Sequence, residues 1–417
     1  MPGHFLIFTS PIVVILCCCA ALIDITSGAS VEEYKLLQST LLTNYSTSIR
    51  PLLDQDDTVF VYSGFYLAGI NEVDAVNQRL ITTGFLELSW DDEFLQWDED
   101  EFDIHTLYFK QKDIWTPDVV LKNGITTFEE LGGEFYYLQV TSDGRVTWLP
   151  FQVLESKCFI DITYFPFDDQ KCSITFHSWS FSKDEVNVTL FVDDPSPVDS
   201  YNYVENSVWG IVSTDAFASP EIEAESEVTF ILHLRRKPLY FIVNLISPIV
   251  LLGVVRLLVF VIPADAGEKM SFAMAVFLSF AVFLSIISMH LPTNSEKTSL
   301  LGVYIVVQMI IGVGTIVISS FQLRLHHRKS ERKVGVFFRG VVKVERFLRC
   351  TTCNESRKVS GEKNVEVSLH DDDNGIINWT DVSSAIDFVS FWTMLVFEIS
   401  AMTIIIATLI GGYDLIG

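Results

Sequence analysis

The residues most able to do chemistry lie in one stretch, Gly267-Glu268-Lys269-Met270 through Met289-His290-Leu291-Pro292. It is long enough to cross a bilayer as a helix, and it carries no charge between Lys269 and His290. At helical spacing Glu268, Ser271, Ala275, Leu278, Val282, Ser285 and Met289 share one face. That face is small, narrow or weakly polar, with a carboxylate at one end. The phenylalanines Phe272, Phe277, Phe280 and Phe283 lie mostly off it. A helix that only sits in lipid has no reason to sort its side chains this way. A helix lining a water-filled pore, with several copies around an axis, does. The alternative is a plain lipid-facing or core helix whose small residues are accidental.

Around this stretch the chain divides into regions of different texture. The sequence has 417 residues, 49% of them hydrophobic, which is high for a soluble protein and predicts membrane spans. Residues 1–28 read as a secretory signal peptide, with an apolar run from Phe5 through Ile23 that holds Cys17, Cys18 and Cys19. Residues 29–238 form the predicted extracellular domain, and the apolar runs Leu239–Ile262, Met270–Met289 and Leu300–Leu323 the first three spans, within 239–323. A polar intracellular loop, 324–383, is read as part helix and part disordered. The fourth span and an extracellular tail occupy 384–417, its apolar run about Ile386–Ile410. The basic cluster His326-His327-Arg328-Lys329, with Arg332 and Lys333, follows the third run and belongs on the cytoplasmic side. With a cleaved signal, four crossings put both termini outside.

In the extracellular region a short amphipathic helix is expected from Val31 to about Tyr45, from the spacing of Leu36, Leu37, Leu41 and Leu42. Beyond it, β-rich runs alternate with Gly, Asn, Asp and Pro: Thr58–Tyr62, Arg79–Trp90, Val119–Leu121, Gly144–Pro150, Cys172–Phe181 and Val186–Val192. They predict an all-β, immunoglobulin-like sandwich. Asn44 and Asn187 begin sequons that fit glycosylation there. The net charge of −25 comes mainly from this region; it argues against nucleic acid and attracts cations.

Cys158-Phe-Ile-Asp-Ile-Thr-Tyr-Phe-Pro-Phe-Asp-Asp-Gln-Lys-Cys172 spaces two cysteines to close a compact disulfide loop around Phe165-Pro166-Phe167-Asp168. This closely resembles the signature of the Cys-loop pentameric ligand-gated ion channels. The motifs Trp90-Asp91-Asp92, Trp115-Thr116-Pro117-Asp118, Phe176-His177-Ser178-Trp179, Arg236-Lys237-Pro238-Leu239-Tyr240 and Pro263-Ala264-Asp265-Ala266-Gly267-Glu268-Lys269 follow in the order of its nicotinic-type branch.

The resemblance implies a plasma-membrane pentamer, made with four further subunits in a homo- or heteromer, with postsynaptic membranes among its settings. It also implies small-molecule agonist pockets between extracellular domains and an all-α four-helix bundle whose second span lines the channel. Gly267-Glu268 without a preceding extra proline resembles the cation-selective members, passing monovalent cations, and five copies of Glu268 would form an anionic ring. The alternative turns Glu268 away or ties it to Lys269. Leu278 would form the hydrophobic constriction. Ala275 and Met289 make the pore more apolar than usual and predict low conductance.

In the implied pocket Trp179 matches the central aromatic of a cation cage. Phe85, Gln139, Thr147 and Leu149 match the complementary wall, and Phe217 and Glu225 lie in the capping segment Thr214–Glu227, which also holds Glu221, Glu223 and Glu227. Lys122 stands where acetylcholine-binding members carry Tyr, and the capping segment has neither adjacent cysteines nor tyrosine. Acetylcholine is therefore not the expected agonist. Two readings of Lys122 are open: it binds the acid of a zwitterionic or anionic ligand while Trp179 and loop carboxylates hold an amine, or it pairs with a loop glutamate and leaves no conventional pocket. Trp179 has its own alternative, a packed core side chain. For gating, the tip Phe165-Pro166-Phe167 and Arg236 are expected to meet the linker His290–Ser299, which contains Pro292. Ala75 stands where relatives often carry an acid, with Asp74 beside it.

Arg256 lies inside the first span, where its first expectation is to snorkel to the cytoplasmic headgroups and its second is to pair with Glu398 of the fourth. Cys350-Thr-Thr-Cys353 is half of a zinc pattern without its second half, so no metal is expected. Without any hydrolase, phosphate-loop or HExxH motif, neither an enzyme nor a cofactor is expected. The reading is a cation-selective channel subunit; the alternative is a non-conducting accessory or orphan subunit of a heteropentamer.

Overall fold

The computed structural model describes residues 29–191, 198–200, 202–220, 224–291, 297–329, 333–349 and 377–416. The signal-like run, Glu221, Glu223, Pro292, Cys350 and Cys353 lie outside the described residues. Helix α1, Val31–Leu41, opens with a capping box between Ser30 and Glu33, and of its leucines only Leu37 is buried.

Among the described residues, twelve strands follow in two sheets. The larger contains β1 (Val59–Asp74), β2 (Arg79–Asp91), β3 (Thr106–Lys110), β5 (Tyr137–Thr141), β6 (Arg145–Trp148), β7 (Phe151–Lys157), β9 (Val186–Leu190) and β10 (Val198–Asp199). The smaller is the antiparallel set β11 (Trp209–Ala218), β12 (Glu227–Arg236), β8 (Asp169–Ser178) and β4 (Val119–Leu121). Apolar residues at every second position of β2 and β12 turn to the core, where Phe65 of β1 meets Phe230 of β12 at 5.6 Å between centroids. Trp90, Trp148, Phe109 and Phe176 fill the same layer. Burying each such side chain stabilises the domain by about 1.5–3 kcal/mol relative to exposure.

The sandwich was expected; much of its strand inventory was not. β1 runs well beyond Tyr62, through Gly64 and Gly69, and bends at two register shifts. Strands β3, β5, β7, β11 and β12 were not anticipated, nor was the pair β10.

Among the described residues, four helices are long and apolar enough to cross a membrane. The first, α2 (Leu239–Phe260), contains a π turn at Ile242–Ile246 just before Ser247-Pro248. Proline lacks the N–H that would continue the ordinary ladder, so the preceding turn widens. The second, α3 (Lys269–His290), starts after Gly267, whose φ of 71° is the left-handed turn that sets the helix entry. The third, α4 (Leu300–His326), and the last, α6 (Trp379–Ile416), both exceed their apolar runs. Between them α5 (Val336–Leu348) sits with Phe338 against Trp379, at 5.6 Å between rings.

Candidate functional site

The seven candidates for a pore face lie on exposed positions of α3 and its N-cap. Glu268, Ser271, Ala275, Leu278, Val282, Ser285 and Met289 are all exposed on the single chain. The opposite face of α3, with Lys269, Ala273, Val276, Phe280 and Ile287, is buried against the bundle. Glu268 and Lys269 part company at the helix start. The Glu268 carboxylate accepts from Ser271 Oγ at 3.1 Å, whereas Lys269 is 1% exposed and donates to Asp387 of α6. The alternative that tied Glu268 to Lys269 therefore fails, because the lysine's partner comes from another helix.

The agonist candidates fall into two walls. Strand β8 ends at Ser178, and Trp179 follows it, its backbone N–H donating to the Asp118 carbonyl at 3.3 Å. Asp118 accepts from Ser178 Oγ at 2.7 Å and from the Ser180 N–H at 2.5 Å, which fixes the turn. The Trp179 ring stands 60% exposed, 4.6 Å from the ring of Phe128 and 5.9 Å from His177. Trp179 is thus a surface aromatic and not a core side chain. Phe128 escaped sequence reading: an isolated aromatic in a polar loop has no periodicity to reveal it.

Lys122 follows β4 and is positioned by Asn123, which bonds to both the Ser173 carbonyl and the Thr175 N–H. Its Nζ donates to Glu225 at 2.7 Å and to Glu227 at 2.5 Å. The bond to Glu225, then that to Glu227, raises the Lys122 pKa, and the same lysine holds Glu225 below the usual carboxylate range. Burial, helped by the Lys122 charge, keeps His177 below the usual imidazole range. Of the two readings for Lys122, the geometry has the ion pair. Phe217 lies on β11 opposite Thr229, half exposed.

The second wall lies on the larger sheet. Phe85 of β2 pairs with Phe151 of β7, their rings 4.6 Å apart. Gln139 and Thr147 are register partners on β5 and β6, and Leu149 lines an open depression of about 420 Å³ with Tyr66, Phe85 and Glu87. One chain therefore carries both walls but on different sheets.

The coupling candidates meet where the domains join. Cys158 and Cys172 are bonded. Arg236, the last residue of β12, forms a two-bond fork with Asp168 at 2.7 and 2.9 Å, and its guanidinium lies 4.2 Å from the Trp209 ring. Phe165, beside Pro166, is buried 5.1 Å from Phe241 of α2, and Phe167 lines an apolar cavity of about 210 Å³ with Leu301 and Tyr304. Half of the linker, residues 292–296, lies outside the described residues; among those described, the Leu300 N–H at the start of α4 donates to the Thr163 carbonyl at 3.0 Å, and Lys297 of the linker lies 3.4 Å from Asp161. The aromatic tip packs on the first span because it is apolar and buried there. Asp74 is spent on its own turn, accepting from the N–H groups of Val76 and Asn77 at 3.0 Å and from Arg79 at 3.2 Å. Asn44 is exposed, while Asn187 sits half-buried in β9 with its carbonyl oxygen accepting from Ser226.

Arg256 does not snorkel. It is buried, with Nη2 on the Glu398 carboxylate and Nη1 on the Gln308 carbonyl at 3.0 Å. Partners inside the bundle take both ends of its guanidinium. Among the described residues no cluster of three or more His, Cys, Asp or Glu could hold a metal.

Residues 34–238 match the family model of the neurotransmitter-gated ion-channel ligand binding domain, and residues 245–376 match that of the neurotransmitter-gated ion-channel transmembrane region. The neuronal acetylcholine receptor subunit alpha-6 of Rattus norvegicus is 35% identical over 308 residues, 72% of this chain and 62% of that protein. The alpha-2 subunit of Homo sapiens is 34% identical over 312 residues, 72% of this chain and 57% of that protein. The alpha-4 subunit of Gallus gallus is 33% identical over 307 residues, 71% of this chain and 48% of that protein. The chain thus covers less than two thirds of the length of these relatives.

Proposed function

The chain belongs to the neurotransmitter-gated ion-channel family, and from that premise we propose that it is a subunit of a cation-selective pentameric channel whose agonist is not acetylcholine. The carrying observation is the sorting of α3. Its small and weakly polar face is exposed with Glu268 at one end, and the neighbouring lysine is buried against Asp387. Five such faces around an axis enclose a pore with a ring of carboxylates at its cytoplasmic mouth and Leu278 as its apolar constriction.

The agonist reading rests on Lys122. A quaternary ammonium binds by cation–π attraction and has no N–H to offer a carboxylate. Here it would meet Trp179 and Phe128 next to a fixed cation that already occupies Glu225 and Glu227. A ligand for this wall must bridge or replace that ion pair, which suits a molecule carrying hydrogen-bonding charged groups. Two copies of this chain supply both walls, with Phe85 and Phe151 facing Trp179 across the subunit boundary. The channel sits in the plasma membrane with both termini outside.

The test is voltage clamp of cells expressing this chain alone, challenged with acetylcholine, other amines, amino acids and proton steps. The expected result is a current evoked by a ligand other than acetylcholine, reversing with the sodium gradient and lost in Trp179→Ala. A reversal that follows chloride would overturn the selectivity, and silent pentamers at the cell surface would replace the channel reading with that of an accessory subunit.

A further inference from the structure

The membrane part of α6 touches the bundle lightly. From Ile386 onward, Glu398 is the only described residue of this helix that is fully buried. A carboxylate is the side chain least suited to that role unless something is built to receive it, because an unpaired charge in a dry bundle is costly.

Three helices build the receiving site. Arg256 of α2, 2% exposed, donates through Nη2 to Glu398, which is 6% exposed, and through Nη1 to the Gln308 carbonyl at 3.0 Å. Gln308 Nε2 of α4 donates to Glu398 Oε1 at 3.1 Å, and Tyr304, one turn earlier, places its hydroxyl 3.5 Å from the same oxygen. Phe280 of α3 closes the site, its ring 5.7 Å below the guanidinium. The space for the carboxylate comes from Gly253, one turn before Arg256. A Cβ added there would fall on Glu398 Oε1 and within 2.9 Å of its carboxyl carbon.

We propose that this pocket of Gly253, Arg256, Tyr304 and Gln308 is the docking site that seats the fourth membrane helix, with Glu398 as its anchor. Lipid supplies no hydrophobic drive for helices to associate, so a helix with little buried surface depends on specific polar contacts for its position. The pair acts by specifying where α6 sits: two apolar residues of similar volume would hold the helices together but would not choose the register. Asp387 on Lys269 and Gln322 gives α6 a second polar contact about three turns nearer the cytoplasm. The two contacts together fix both position and rotation of the helix.

The test uses the full-length chain and needs no channel activity: cell-surface protein by biotinylation, and survival of the detergent-solubilised assembly on heating. Glu398→Gln and Arg256→Met each leave one member buried without its partner and are expected to lower surface protein about tenfold. The double variant Arg256→Met/Glu398→Met should recover to within about threefold of the parent, because the stranded charge is gone. Gly253→Ala should be as harmful as the single variants in the parent but clearly less so in the double variant, where the flexible thioether at position 398 is held by no hydrogen bond and can turn aside. Single variants that match the parent would overturn the proposal. So would a double variant no better than its worse parent, or a Gly253→Ala effect equal in both backgrounds.

Discussion

Replacing Arg236 by Gln should loosen the junction between the extracellular domain and the membrane helices, and its size can be worked from the contacts. The side chains of Arg236 and Asp168 are 7% and 2% exposed, and the fork between them has two short bonds. Removing one partner of such a pair leaves the other charge buried, at a cost of about 3–5 kcal/mol. Gln170, whose Nε2 donates to Asp168 Oδ2 at 2.6 Å, offsets part of this. The guanidinium also leaves the rings of Trp209 and Phe165, a further loss of about 0.5–2 kcal/mol. That loss and the Gln170 offset are of similar size and opposite sign, so the net cost stays at about 3–5 kcal/mol; at about 2–4 °C per kcal/mol for a domain of this size, a fall of about 6–20 °C is expected. Arg236→Lys keeps the charge but loses the fork, and should fall by less. The assay is heating of the purified full-length protein followed by chromatography of the surviving assembly. An Arg236→Gln midpoint within about 2 °C of the parent would refute the reasoning, since no buried charge can then have been stranded.

Four further outcomes are expected. Glu268→Gln should lower single-channel conductance and move the reversal potential toward that of chloride; an unchanged sodium-to-chloride permeability ratio would remove Glu268 from the pore. Lys122→Met should raise the apparent affinity for quaternary ammonium ligands about tenfold by deleting the opposing charge, and an unchanged dose–response would mean the lysine does not face the ligand. In the parent, the bond between Lys122 and Glu225 is lost only as pH falls through the depressed pKa of Glu225 or rises through the raised pKa of Lys122, so ligand sensitivity should be flat through neutral pH. Burial raises the Asp92 pKa to about 6 despite hydrogen bonds from Tyr45 and Phe94. The folded state therefore binds this proton more tightly than the unfolded one, and stability falls by about 3 kcal/mol as pH rises from about 4 to above 6. Asp92→Asn should flatten that part of the pH–stability curve; an identical slope would assign it to other groups.

What could be read in the sequence was whatever repeats or runs continuously. The spans are unbroken apolar stretches, and the sorted face of α3 is a helical period, so both were legible. β3 and β5 are five-residue strands in an acidic region, where the alternation is too short to stand out, and the glycines of β1 hid a strand that bends instead of ending. Lys122 was recognised as out of place, but its two glutamates lie more than a hundred positions away and no local pattern could choose between ligand and ion pair. Arg256 misled for the same reason: snorkelling is a local solution, and the partner that wins belongs to the last helix. Phe128 carried no signal at all.

The opposite placements of Glu268 and Lys269 have a consequence for reading charge along a chain. Any window that averages the two counts zero at that point and would assign no electric field to the pore mouth. In the folded chain Lys269 is buried and paired with a residue more than a hundred positions later, so in the proposed pentamer each subunit would present the Glu268 carboxylate to the axis without its neighbouring cation. In the proposed pentamer the charge at the mouth would therefore depend as much on Asp387, which holds Lys269 on the buried face of α3, as on Glu268 itself. A substitution at the lipid-side helix that releases Lys269 would alter the field at the axis without changing a single residue there.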